Sequence, residues 1–216
     1  MEIIAQKNLE IASKEKSICK DSKNTAILTL KSVKARETLV KNEMKLAKFI
    51  QTLAEKNKKL VESKQQVKDI LGFSNNNLKS EEDHAIYSLQ IAEIKKKIAQ
   101  VQRKIAHLES QIAEEELNII KEKSRVAKER ELLGKKQFSY VKLLKISAPI
   151  EKLKKAEEEF QNQQKRLNTA IKGVYKKSIE IRGKEDNLAD LKKEHSEELA
   201  KREKIRPPSV KFPTNE

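Results

Sequence analysis

Apolar residues recur in adjacent pairs every seven residues through the middle of the chain, with mostly polar residues between the pairs. The pairs include Ile91-Ala92, Ile98-Ala99, Ile105-Ala106 and Ile112-Ala113. Seven residues make two turns of helix, so all the pairs fall on one face of one long helix. The branched member is expected in a core, and the small member lets a second helix approach closely. Because such a helix cannot bury its stripe alone, the pattern predicts a rod that packs against other helices.

Two stretches, this one and a later one, carry the strongest core signal. In the first, apolar residues follow one another at alternating steps of four and three; in the second, one apolar position repeats strictly every seven residues and is continued by His195. Both spacings are typical of helix–helix seams. The predicted core of the bundle and of a dimer consists of Ile91, Ile94, Ile98, Val101, Ile105, Leu108, Ile112, Leu153, Phe160, Leu167, Val174 and Ile181.

Helix-breaking residues are few, and they mark the predicted boundaries. Gly72 follows an apolar pair and precedes the polar run Ser74–Asn77, which predicts a helix end and a turn, with Ser80 as the next cap. Pro149 predicts either a tight turn or a kink, and Ser147 is a candidate cap for a helix whose first turn holds that proline.

These boundaries predict an all-α fold of three long helices in an elongated antiparallel coiled-coil bundle. The apolar stripes are wider than a two-stranded seam needs, so we expect homodimerisation to bury the remaining surface. The predicted segments are an amphipathic helical extension at 1–24, a three-helix domain at 25–205 with helices at about 25–71, 81–146 and 148–205, and a disordered tail at 206–216.

The composition supports long helices and offers little for catalysis. Charged residues make up 38% of the chain, aromatic residues 4%, and there are 4 glycines. The three histidines lie far apart, and no phosphate-binding loop or cysteine pair is present. We therefore expect no enzyme activity, cofactor, metal or small-molecule substrate. A single cysteine and the absence of a bilayer-length apolar run favour a cytoplasmic protein, peripheral to membrane or associated with the cytoskeleton.

Charge distribution is the main functional signal. The net charge is +15, and residues 121–155 alone hold twelve basic and four acidic residues. A basic end on a long rod suits an anionic membrane surface or an acidic protein filament, although a merely solvated helix is the alternative. Nucleic acid is disfavoured because no aromatic residues are interleaved for base stacking. The candidate membrane-binding residues are Lys121, Lys123, Arg125, Lys128, Arg130, Lys135, Lys136, Lys142 and Lys145.

A stretch of about 30 residues in the third predicted helix resembles the last helix of BAR domains. It runs from Lys152–Phe160 (KLKKAEEEF) through Gln164–Asn168 (QKRLN) to Val174–Glu180 (VYKKSIE). The resemblance implies an elongated antiparallel dimer with a six-helix centre. It also implies basic residues on a concave face and at the tips that scaffold curved anionic membranes, with residues 1–20 as an added membrane-inserting helix.

Two functions therefore compete. The first is a non-enzymatic helical scaffold that dimerises, binds anionic membranes and senses or shapes curvature. The second is a coiled-coil structural or adaptor protein of a cytoskeletal, ciliary or kinetochore-type assembly.

Overall fold

The computed structural model describes residues 2–71 and 77–208, and 96% of these are helical. Three helices follow in order: α1 (Glu2–Leu71), α2 (Asn77–Lys145) and α3 (Ile150–Lys204). No strand occurs among the described residues. The predicted all-α class with three long helices is confirmed. The predicted Gly72 cap and most of the polar turn after it lie outside the described residues.

The predicted boundary at residue 24 is wrong, because α1 is continuous from Glu2. The polar residues 21–24 lie inside the helix, although Asp and Asn are poor helix formers. Packing on either side of this segment outweighs that weak local preference. Before it, small side chains are buried at seven-residue spacing: Ala5, Ala12 and Cys19.

The segment between α2 and α3 is a turn and not a kink. Ser147 has a left-handed backbone, with φ of 51°. The Ser147 N–H donates to the Leu144 carbonyl at 3.2 Å, and the Ala148 N–H donates to the Leu143 carbonyl at 3.1 Å. These are the two bonds of a Schellman motif, which satisfies the last carbonyls of a helix. Pro149 cannot continue α2, which ends four residues earlier at Lys145.

Ser147 is therefore not the N-cap of α3 that the sequence suggested. Pro149 directly precedes the helix, and its carbonyl accepts from the N–H groups of Lys152 at 3.0 Å and Leu153 at 3.2 Å. Ser80 is not a cap either, because α2 already begins at Asn77. The other helix ends lie within two residues of their predicted positions, which is the usual scatter of helix boundaries.

Contacts divide the chain into two compact units, each containing parts of all three helices. The first unit comprises Met1–Val33 and Ser110–Asp186, and the second comprises Lys34–Glu109 and Asn187–Glu216.

In the first unit the three helices form an antiparallel bundle. Asn8 on α1 donates to Gln137 on α2 at 3.2 Å. Gln163 on α3 donates to the Glu129 carboxylate on α2 at 2.6 Å. Of the core residues predicted in this unit, three are buried and three are half-buried. The buried ones are Ile112, Leu167 and Ile181, and the half-buried ones are Leu153, Phe160 and Val174.

In the second unit, α1 and α2 are also antiparallel. Arg36 pairs with Glu109 at 2.9 Å, and Lys64 pairs with Glu81 at 3.1 Å. Lys192 of α3 reaches Glu109 at 3.6 Å. The predicted core residues of this unit are again divided: Ile98, Val101 and Ile105 are buried, whereas Ile91, Ile94 and Leu108 are half-buried.

α1 also carries adjacent apolar pairs at seven-residue spacing, from Leu39-Val40 to Leu60-Val61. The small second members, Val40, Ala47, Ala54 and Val61, are buried. The large first members, Leu39, Leu46, Leu53 and Leu60, are 56–60% exposed. In this part of α1 the smaller member of each pair therefore faces inward, and the leucine faces solvent.

Candidate anionic-surface binding site

Four lysines form an exposed line on the outer face of α2. Lys121, Lys128, Lys135 and Lys142 follow at seven-residue spacing, and all four are exposed. We call them the basic row. Successive members are about 10.5 Å apart along the helix axis, because each residue adds about 1.5 Å. The row lies outward because α2 uses other positions for its neighbours, including buried Ile119 and Leu133.

Local contacts around the basic row leave most of its charge available. Lys135 pairs with Glu131 at 2.8 Å, and Lys121 donates to the Asn118 side chain at 3.2 Å. In the described part of the chain, Lys121, Lys128 and Lys142 make no ion pair. Arg125, another exposed candidate, lies 3.9 Å from Glu122, at the outer limit of an ion pair.

Three of the nine candidates are instead used between helices. Arg130 is three-quarters covered and pairs with Glu15 on α1 at 3.1 Å. Lys136 pairs with Glu159 on α3 at 2.5 Å. Lys145 pairs with Glu2 on α1. These contacts hold the bundle of the first unit together, so these cations are less free to meet an external anion.

Lys123 is exposed but lies on a different side of α2 from the basic row. It borders an apolar groove of about 450 Å³ in the first unit. This groove is lined largely by Ile18 and Cys19 of α1, Val126 of α2, and Ile171, Val174 and Tyr175 of α3.

Burial raises the pKa of the Cys19 thiol, with nearby Glu15 adding to the effect. The thiol is therefore protonated at neutral pH, which is the unreactive form.

Glu131 is the acid most strongly affected by its basic surroundings. Hydrogen bonds from Lys135 and from Lys16 of α1 lower its pKa from 4.5 to about 2. The carboxylate therefore stays charged at neutral pH and links α1 to α2 beside the basic row. Similarly, the Lys136 ammonium lowers the pKa of Glu159.

The start of α3 adds two basic residues that the candidate set had missed. Lys152 and Lys155 line a shallow groove of about 290 Å³ with Lys136, Ser139 and Glu159. Both lysines belong to the basic stretch 121–155, so the charge count was a signal for them. Only the folded turn shows that they lie beside the end of α2.

The site is suited to electrostatic binding. Among the described residues, no cluster of three or more His, Cys, Asp and Glu side chains could hold a metal ion. None of the described helices has a long enough apolar stretch to cross a membrane. Ammonium groups at regular spacing on an exposed helix can each approach a separate phosphate or carboxylate on a flat anionic surface.

No family model and no curated protein matches this chain.

Proposed function

We propose that the protein is a non-enzymatic helical scaffold that binds anionic membrane surfaces through the basic row of α2 and acts as a homodimer. The observation that carries the proposal is the exposure of four lysines along one face of α2. Each basic residue near an anionic leaflet contributes about 1 kcal/mol of attraction at physiological ionic strength. Four aligned lysines therefore contribute about 4 kcal/mol of attraction to an anionic membrane without a binding pocket.

Two further features support this function. The basic row lies within a stretch that holds twelve basic and four acidic residues, so the field around it is positive over a wide area. The start of α3 also resembles the last helix of BAR domains, a family that scaffolds curved anionic membranes. Sensing or shaping of curvature is the finer part of the proposal, and it rests on that resemblance.

Co-sedimentation with vesicles tests the lipid contact. Vesicles containing phosphatidylserine should bind the protein, and binding should weaken with added salt. Lys121→Glu/Lys128→Glu/Lys142→Glu should weaken binding by at least on the order of 100-fold, since three attractive charges are lost. These residues are exposed, so circular dichroism should show unchanged helix content.

The matched control places the same three charge reversals in the second unit. Lys45→Glu/Lys48→Glu/Lys97→Glu has the same net charge, and all three lysines are exposed. This control should retain most of the binding. An equal loss in both variants would contradict a localised site, and failure of the unmodified chain to bind anionic vesicles would remove the proposal.

A structural or adaptor role in a cytoskeletal, ciliary or kinetochore-type assembly is the second candidate. The exposed leucines of α1 favour it, because helical partners in such assemblies recognise apolar rows of this spacing. Co-pelleting with an acidic filament such as a microtubule, without binding to anionic vesicles, would favour this role over the first.

A further inference from the structure

The end of the second unit, where α1 finishes and α2 begins, exposes large apolar side chains. Leu53, Leu60 and Val67 follow at seven-residue spacing and are 60%, 56% and 56% exposed. Ile70 is 82% exposed. A row of this spacing is the signature of a helix that packs against another helix.

The row lies beyond the end of α3 and continues the exposed face of Leu39 and Leu46. A groove in the second unit places Lys192 and His195 of α3 beside Leu39 of α1 and Gln102 of α2. From that level α3 continues for about 14 Å to Lys204, whereas α1 continues for about 48 Å to Leu71. About 34 Å of α1 therefore extends past the end of α3.

This final section is a pair of helices without a third. We call it the open hairpin, formed by residues 53–71 of α1 and 78–94 of α2. Lys64 and Glu81 join its two helices at 3.1 Å. On the α2 side Ile86 is exposed, and Tyr87 and Ile91 are half-buried. Both helices thus leave apolar surface uncovered.

The two helices of the open hairpin carry opposite charge. Residues 53–71 contain five basic and three acidic residues, whereas residues 78–94 contain one basic and four acidic residues. The hairpin is therefore close to neutral in a chain whose net charge is +15. An identical hairpin turned by a two-fold axis would bring the basic helix of each copy to the acidic helix of the other.

We propose that the open hairpin is the homodimer contact, and that two copies pair through it to form a four-helix bundle. Leucines at heptad spacing supply the bundle core, and the exchanged positive and negative helices set its orientation. The occupant of the apolar face is thus a second copy of this chain, because its charge pattern complements itself. This inference deepens the homodimer part of the proposed function and does not depend on lipid binding.

The available area fits a reversible dimer. The open hairpin is about 27 Å long and about 20 Å wide, since each helix is about 10–12 Å across. One face therefore offers about 500 Å² per copy and about 1,000 Å² in total, which is near the lower limit for a specific interface. Phe49, which is 69% exposed just before the hairpin, extends the same surface.

Sedimentation velocity of the full chain without lipid tests the contact. The unmodified protein should be a concentration-dependent dimer, and Leu60→Glu/Val67→Glu should sediment as a monomer with unchanged helix content. Ile3→Glu/Leu28→Glu is the matched control, because both residues are highly exposed and belong to the first unit. The control should remain dimeric.

Charge exchange tests the orientation of the two copies. Lys56→Glu/Lys59→Glu and Glu82→Lys/Asp83→Lys should each raise the dimer dissociation constant at least tenfold, and combining all four changes should restore most of the affinity. Neither pair of changes touches the Lys64–Glu81 ion pair inside one hairpin.

A chain that stays monomeric at 100 μM, or an oligomer insensitive to the changes at Leu60 and Val67, would overturn the dimer contact. If the variant with all four charge changes has a dimer dissociation constant no lower than that of either two-residue variant, the proposed pairing of basic and acidic helices across a two-fold axis is overturned. Vesicle binding is measured separately, so loss of dimerisation and loss of membrane binding can be told apart.

Discussion

At the scale of single residues, Ser147 is the most unusual backbone position in the described chain. It is the described non-glycine residue with positive φ, at 51°. The left-handed region costs most L-residues about 1–2 kcal/mol, and glycine avoids that cost. The Schellman bonds at the end of α2 nevertheless require this conformation at position 147. The sequence pattern pointed to a cap here but assigned it to the wrong helix end.

Ser147→Gly should therefore stabilise the fold. Relief of the left-handed strain is partly offset by the greater freedom of glycine in the unfolded chain, so the net gain should be about 0.5–1 kcal/mol. Thermal unfolding followed by circular dichroism measures it. Ser139→Gly is the control, because Ser139 lies inside α2, and it should lower stability by about 0.5 kcal/mol. A lower midpoint for Ser147→Gly would contradict this account of the turn.

At the scale of helices, the sequence predicted the elements better than their faces. Seven-residue spacing identified three helices, and Pro149 located one junction. The seven-residue spacing alone did not tell which member of an adjacent apolar pair faces inward, because both members recur with the same period. In α1 the small residue is buried and Leu46 and Leu53 are exposed. Neighbouring helices decide that choice, and sequence periodicity does not describe them.

The same limit applies to the candidate site. The charge excess of residues 121–155 was evident, and Lys121 and Lys128 have a readable spacing. Some of these basic side chains form ion pairs between helices, and their acidic partners are distant in sequence. Arg130 pairs with Glu15, and Lys145 pairs with Glu2; each partner is more than a hundred residues away in sequence. Such pairings follow from helix register, which the sequence alone did not fix.

The glycines of α2 and α3 allow a direct test of close helix packing. A Cβ atom at Gly134 would meet Leu9 Cγ at 3.0 Å and the Ala5 carbonyl oxygen at 3.2 Å, so α1 approaches closely there. Gly173 and Gly183 have no such neighbour within 4 Å. Close packing therefore does not require glycine at these two positions.

Gly173→Ala and Gly183→Ala should each stabilise the protein by about 1 kcal/mol, the helix preference of alanine over glycine. Gly134→Ala gains the same preference but must displace α1, so it should give no gain or a net loss. Chemical denaturation of the three variants measures the difference. If Gly134→Ala stabilised the protein as much as Gly173→Ala, α1 would be able to move away from position 134 without a cost in free energy.

At the scale of the whole molecule, charge makes the fold sensitive to acid. The chain has 48 basic and 33 acidic residues, so protonating the carboxylates removes most of the compensation for its positive charge. Glu131 and Glu159 contribute to this sensitivity, because lysines lower the pKa of both in the folded chain. A carboxyl with a lowered folded pKa stabilises the fold above its unfolded pKa, and that contribution is lost as pH falls.

For Glu131 this window runs from about pH 4.5 down to about pH 2. Glu131→Gln removes the ionic interactions with Lys16 and Lys135, so it should lower the unfolding midpoint at pH 7. The difference in midpoint between this variant and the unmodified chain should shrink as the pH falls through that window. Thermal unfolding at a series of pH values measures the difference. Glu180→Gln, at an exposed residue of α3, should show no such narrowing. A constant difference between the Glu131 variant and the unmodified chain from pH 7 to pH 2 would mean that the ionisation of this carboxylate does not help to hold α1 against α2.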